Sequence, residues 1–198
     1  MHNLPPSLEY PPKRSILING DVVILKLLEK ADGAALELFF SQVPEHEAET
    51  LRDNVHDPDT IGRWTQSLDY QRVLPLVSWD EPLEHIVGVS SLHLTKGVYR
   101  HIADVRIFVG KGYRRLGLGS AMIKELIEIG NKIGLYFLRA EVLAENQLAI
   151  KAFRQLGFES KCNLEDGFLT LRKGETRDLM LMMKRLHINM EEDFFYLF

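Results

Sequence analysis

Apolar and polar residues change rhythm several times along this chain. In "SILINGDVVILKLL" (15–28) two apolar runs flank Asn19-Gly20, a dipeptide that turns tightly, so a strand pair is expected. Helical stretches follow at about 31–41, 45–54 and 58–69, the last opening at "DPDT" with helix-start chemistry. "VLPLVSW" (73–79), "HIVGVSSLHLT" (85–95) and "HIADVRIFV" (101–109) read as strands separated by the turn-like "DEPLE" and "TKGVYR", which predicts an antiparallel meander. In the last of them Val105, Ile107 and Val109 alternate with Asp104, Arg106 and Phe108, giving one aliphatic face and one partly polar face. From Ser120 the period lengthens. Ile123, Leu126, Ile127 and Ile133 recur at helical spacing, with Lys124, Glu125, Glu128 and Lys132 on the other side. A strand over 135–143 and a helix from about Gln147 to Leu156, ended by Gly157, complete the pattern.

Length and charge narrow the classes. With 198 residues the chain is long enough for one domain with a substantial core. The expected organisation is an extended arm over 1–14, which carries Pro5, Pro6, Pro11 and Pro12, a single domain over 15–188, and a C-terminal tail over 189–198. That tail ends in "EEDFFYLF", an apolar cluster that either docks on its own domain or covers a second copy, and a homodimer contact is expected. Against 28 Asp and Glu there are 24 Lys and Arg, a net charge of −4, so no global basic field recommends nucleic acid or an anionic membrane as a partner. The one cysteine, Cys162, has no disulfide partner, which fits a reducing cytoplasm. "MHNLPPSLEYPPKR" contains no apolar leader, and no window reaches the roughly 18 apolar residues of a membrane span. The expected location is the cytoplasm. Seven histidines include no metal-spaced pair, so no metal is implied.

The stretch "GYRRLGLGSAM" (112–122) joins the strand ending at Val109 to the helix that follows, and it sets glycines and arginines together. A helix N-terminus offers unsatisfied N–H groups and a partial positive charge, and glycine lets a phosphate approach them closely. A di- or pyrophosphate is the ligand this chemistry suits. The P-loop pattern fails because Leu118 stands where lysine is required, and both dinucleotide frames lack the third glycine, at Arg115 and at Met122. What remains is R-x-x-G-x-G over Arg114–Gly119. Taken alone, it is equally compatible with a ligand-free glycine-rich connection.

A second element lies downstream. "LYFLRAEVLAENQLAIKAFRQLGF" carries Glu141, Val142, Ala144, Asn146, Ala149, Ile150, Phe153, Gly157 and Phe158. Together with the R-x-x-G-x-G turn it resembles the GNAT superfamily of acyl-CoA-dependent N-acyltransferases, specifically over 104–158 and in element order over about 16–187. The resemblance implies an α/β fold of α+β type: a curved, mostly antiparallel mixed sheet flanked by helices. Its fourth and fifth strands, here about 102–109 and 135–143, would splay apart to admit the pantetheine arm of acetyl-CoA, the co-substrate. Phe108, Val109 and Gly110 would then offer backbone partners to the pantetheine. The amides of Arg115, Leu116, Gly117, Leu118, Gly119 and Ser120 would take the pyrophosphate, with the side chains of Arg114, Arg115 and Lys111 near the remaining phosphate charge. Asn146, by itself an ordinary helix N-cap, would also bond the pantetheine. Phe153 stands where many relatives have a tyrosine that reprotonates the thiolate, and phenylalanine has no proton to give.

The implied reaction moves an acetyl group to a primary amine, a small molecule or a protein N-terminus, by direct attack in a ternary complex. An arriving ammonium must lose a proton, and Glu141 is the first candidate base, Asp104 the second. Either acid could instead be paired with Arg139 or Arg106. The acceptor walls would come from 31–70 and 159–178. Residues 43–59 carry Glu45, Glu47, Glu49, Asp53, Asp57 and Asp59 against one arginine, either a solvated face or an amine-attracting rim. Trp64 and Tyr70 are core or pocket aromatics. The Phe153 departure supports a different reading, a GNAT-fold protein that binds acyl-CoA without turnover as a sensor or partner-binding module.

Overall fold

The computed structural model describes residues 9–170 and 173–186. A single eight-stranded sheet runs through them in the order β1-β2-β3-β4-β5-β6-β8-β7. Its strands are β1 (Lys13–Ile16), β2 (Val22–Leu27), β3 (Val73–Asp80), β4 (Ile86–Leu94), β5 (Ile102–Val109), β6 (Phe137–Leu143), β7 (Glu159–Leu169) and β8 (Thr176–Arg185). The helices are α1 (Gly33–Ser41), α2 (Glu45–Ala48), α3 (Pro58–Gln66), α4 (Leu118–Lys132) and α5 (Gln147–Gln155). Every strand pairing is antiparallel except β5 with β6. That one exception follows from the connection, because a parallel neighbour needs a crossover and α4 supplies it.

Local chemistry explains most boundaries. The β1–β2 connection centres on Asn19-Gly20 and spans 17–21, closed by Leu17 N–H on the Asp21 carbonyl at 2.8 Å. Asp57 caps α3 by accepting from the Asp59 N–H at 3.1 Å, with Pro58 in the first turn. Helix α2 is shorter than the sequence suggests. It stops at Ala48, and the Thr50 hydroxyl donates to the Glu47 carbonyl at 2.7 Å just beyond. Only 9–14 of the expected amino-terminal arm are among the described residues, Lys13 and Arg14 already belong to β1, and this part is tied down: the Tyr10 hydroxyl donates to Glu125 of α4 at 3.0 Å and Lys13 reaches the same carboxylate at 2.6 Å. The tail over 189–198, and with it the dimer expectation, lies outside the described residues.

Helices cover the two faces unequally. On one side α4 and α5 bury Leu126, Ile129, Ile150 and Phe153 against Val105, Leu138, Ala140 and Val142. On the other, α1 and α3 bury Leu36, Phe40 and Ile61 against Val77 and Ile86. Strand alternation thus sends Val105, Ile107 and Val109 toward α4 while Asp104, Arg106 and Phe108 face the side of α1–α3. Residues 159–169, to which the sequence pattern assigns no element, form β7, almost wholly exposed, whose pairing with β8 slips at Ser160/Cys162 and again at Leu164/Phe168.

Candidate active site

Parallel pairing between β5 and β6 is brief. It holds Ile102–Asp104 against Phe137–Arg139 and then ends, while β5 stays laddered to β4 as far as Val109 and β6 to β8 as far as Leu143. Past the Asp104–Arg139 pair the two strands diverge, so one side of each presents backbone groups with no strand opposite. The Gly110 N–H bonds the Val87 carbonyl at 2.9 Å, which fixes the alternation: Phe108 spends its groups on β4, Gly110 spends its N–H there and its carbonyl on the Tyr113 N–H at 2.9 Å, and Ile107 and Val109 turn theirs to the opening. Of the three residues expected to offer backbone partners there, Phe108 and Gly110 are therefore corrected. Ile107, which the expectation passed over, takes their place by the same period of two. The Val109 carbonyl already accepts from Arg114 Nε at 2.9 Å.

The opening leads to the turn before α4. Arg115 and Gly117 have φ of +62° and +90°, and Gly117 occupies the N-cap position with no side chain to cap the helix. The first helical bond is Ala121 N–H to the Gly117 carbonyl at 3.0 Å, so the N–H groups of Leu118, Gly119 and Ser120 have no intrahelical acceptor. A Cβ on Gly119 would lie 3.7 Å from Val109 and 3.8 Å from Ile107, an ordinary contact, so internal packing does not require a glycine. Bare backbone beside free N–H groups is what an approaching phosphate needs. Leu118 contributes backbone alone, since its side chain is fully buried, and the Leu116 carbonyl is held by the Ile18 N–H at 3.0 Å.

The turn's basic side chains part company. Arg114 is committed: Nη1 donates to Glu47 at 3.1 Å, Nη2 donates to its other oxygen, and the guanidinium lies 5.5 Å from the Phe108 ring centre. These bonds hold the Glu47 carboxyl below its ordinary range. Arg115 and Lys111 are exposed and form no ion pair among the described residues. Beside Arg114, a cavity of about 350 Å³ is lined by Leu38, Phe39, Glu47, Phe108 and Lys111. Asn146 caps α5, its Oδ1 accepting from the Ala149 N–H at 3.1 Å. Phe153 does not reach the opening. It is 4% exposed and packs edge-to-face on Phe158 with centroids 4.9 Å apart, so the side chain belongs to the core rather than to a cofactor surface.

On the α1–α3 side the diverging strands carry a charged face. At its apex Asp104 takes a fork from Arg139, Nε at 2.6 Å and Nη2 at 2.9 Å, which raises the arginine's pKa further. Glu141, two residues along β6, accepts at Oε2 from Arg52. Arg106, two residues along β5, meets Asp53 at 3.4 Å, and its buried Nε has no hydrogen-bond partner. Burial, then the charge of Arg52, lowers the Arg106 pKa. Nearby on β4, burial pushes His93 down to about 4, so it is neutral at physiological pH. Arg52 is the residue that sequence reasoning missed, and Asp53 is named there only within the acidic run, because nothing local marks a contact across 89 or 53 positions.

The acidic run over 43–59 is neither a solvated face nor a free rim. It is a strap pinned to the sheet. Glu47 holds Arg114, Asp53 holds Arg106, Glu49 reaches Lys173 at 3.4 Å, Glu45 lies 3.4 Å from His56, and Asp57 caps α3. Tyr70 is core, 5% exposed with its hydroxyl donating to the Leu28 carbonyl, and Trp64 packs on Phe40. Among the described residues no group of three or more His, Cys, Asp or Glu could hold a metal ion. No helix among them is long and apolar enough to cross a membrane.

The family model described as the acetyltransferase (GNAT) family matches residues 36–158. An L-amino acid N-acetyltransferase of Escherichia coli, AaaT, is 29% identical over 122 residues, 54% of this chain and 74% of that protein. An uncharacterized N-acetyltransferase of Methanocaldococcus jannaschii is 38% identical over 63 residues, 31% of this chain and only 28% of that protein's length. Among solved structures, an acetyltransferase of the GNAT family from Streptococcus pneumoniae superposes with a TM-score of 0.70 at 24% identity, over 83% of this chain and 99% of that one. Salmonella typhimurium yncA, solved with its cofactor acetyl-CoA, gives 0.68 at 19%, over 83% and 94%.

Proposed function

Because the chain belongs to the GNAT acetyltransferase family, we propose that it transfers an acetyl group from acetyl-CoA to a primary amine by direct attack in a ternary complex. The observation that carries this reading is the opening between β5 and β6, which ends on the uncapped N-terminus of α4 and is bordered on one face by two carboxylates. The E. coli relative's name supports an amine acceptor. The residues fit the co-substrate: the N–H groups of Leu118, Gly119 and Ser120, which have no helical acceptor, and Arg115, without an ion pair among the described residues, suit the pyrophosphate, and the outward backbone of Ile107 and Val109 suits the pantetheine amides. Acetyl-CoA supplies a thioester carbonyl open to attack.

The protein's part is to orient the amine and take its proton. Glu141 ranks above Asp104 as the base because Arg52 engages one of its oxygens, whereas both oxygens of Asp104 are held in the Arg139 fork. No tyrosine stands at 153, so the sulfur leaves as thiolate or takes a proton from another group, tolerable for a thiol whose free pKa is about 8.5. One observation favours a second reading, binding without turnover: both acids are paired and Phe153 is buried in the core. Thiol release from acetyl-CoA, measured against a panel of amines and N-terminal peptides, separates the two. Release with at least one acceptor supports the transferase; none, with acetyl-CoA binding intact by calorimetry, supports the binding module.

A further inference from the structure

Arg52 and Asp53 are adjacent in the strap, yet they reach different limbs of the divergence. Arg52 puts its cation on Glu141 of β6, and Asp53 puts its anion on Arg106 of β5. One dipeptide thus fastens both strands just past the point where their own pairing ends at Asp104 and Arg139. The fastening is not a buried structural lock, since the four side chains keep 42%, 23%, 46% and 36% of their surface for Arg52, Glu141, Asp53 and Arg106. It is also unevenly made. Arg106 has a single contact at 3.4 Å, too long for a good charge-assisted bond, an Nε with no acceptor, and a second arginine close enough to lower its pKa. Asp104 and Glu141 also act on this guanidinium, but only at a distance, so most of its donors are not engaged among the described residues.

We infer that the Arg52–Asp53 clasp stands in for the acceptor's own charges, and that the acceptor is a zwitterion: an amine bearing a carboxylate a few bonds away, as in a free amino acid. The inference deepens the proposed transferase reading and rests on it. What displaces the clasp must offer a cation to Glu141 and an anion to Arg106. The ammonium supplies the first, next to the candidate base, and a carboxylate supplies the second in two-pronged form to an arginine with unused donors. A simple amine would replace Arg52 and leave Arg106 as it is. Stoichiometry then runs as for any amide formation from an ammonium: the N–C bond forms as the C–S bond breaks, one ammonium proton goes to Glu141 and on to water, and a second leaves with the sulfur or to water.

The test compares an amino acid, its carboxamide and its decarboxylated amine as acceptors. Expected is a wild-type kcat/KM for the amino acid about 10- to 100-fold above both analogues, the scale of one charged hydrogen-bonded pair. Arg106→Gln should erase that preference by raising KM for the amino acid alone, with acetyl-CoA affinity and melting temperature as controls for folding. Asp53→Asn, at the exposed end of the clasp, should lower KM for the amino acid by removing its competitor. Equal rates for the three acceptors, an equal loss with all of them in Arg106→Gln, or a rise in KM in Asp53→Asn each overturns the inference while leaving the transferase standing. No transfer to any amine would instead remove the reading beneath it.

Discussion

The turn before α4 and the strap over 43–59 both carry charge, and they treat it in opposite ways. In the turn, Arg115 and Lys111 stand exposed without an ion pair among the described residues, and three backbone N–H groups have no helical acceptor. In the strap, Glu47, Glu49 and Asp53 are each matched to a cation from a distant part of the sheet or its connections. Donors left unspent on one element are open to an anion, and acids spent on another mark where the fold is being held. A run of like charge read in sequence looks the same in both cases, and only the partner, 53 or 67 residues away, tells them apart.

The sharpest break of this contrast is at Glu141, the acid that the strap touches and the proposed chemistry needs. Glu141→Gln should lower kcat by roughly 10²- to 10⁴-fold while sparing acetyl-CoA affinity. A wild-type rate across pH 6 to 9 (roughly the span over which an amine acceptor begins to deprotonate), with Asp104→Asn inactive, would move the base to Asp104.

Gly119→Glu tests the turn. The change puts a side chain and a negative charge beside the free N–H groups, and acetyl-CoA affinity should fall by about 100-fold, the worth of one or two charge-assisted bonds. The fold should survive, because a Cβ there meets only ordinary contacts. A folded variant that binds normally in titration calorimetry would remove the phosphate assignment.

The smallest effect concerns the strap. Arg114 holds Glu47 ionised below the ordinary carboxylate value of 4.5, so below that value the unfolded chain binds a proton that the folded chain does not, and acid favours unfolding. The contribution is complete above that value and is lost as pH falls through the lower folded one. Glu47→Gln should therefore cost at most about 4 °C of melting temperature at pH 7, the scale of a screened surface pair. The difference should shrink as pH falls below 4.5 and vanish where Glu47 takes its proton in the folded protein as well. A deficit that persists there would assign Glu47 a packing role instead.

How much of this was legible in sequence depended on the range of the interaction. Asn19-Gly20, Asp57, Asn146 and Gly117 announce turns and caps because the groups they satisfy lie within a few residues, and the α4 and β5 faces follow from period alone. The α/β fold with its open, mostly antiparallel sheet was correctly anticipated, from those signals and from the family resemblance. Strand β7 was not, since Glu159, Lys161, Glu165 and Asp166 leave it without alternation and it is held by its ladder to β8. The fork on Asp104 was foreseen as one of two pairings, whereas the partner of Glu141 came from the strap, with no local trace.

Strand β7 carries a consequence for how this protein behaves in concentrated solution. It is eleven residues long and forms one margin of the sheet, where unpaired backbone groups invite a strand from another molecule. Two interruptions of its register, with Asp166 at a φ of +52° inside the second, bend it away from the flat template such an addition needs. Its acids and lysine would meet their like on a docking copy. The opposite margin, β1, is only four residues long and has little to offer. Irregularities that look like poor pairing within one molecule thus act between molecules, keeping a wide open sheet from growing into a wider one.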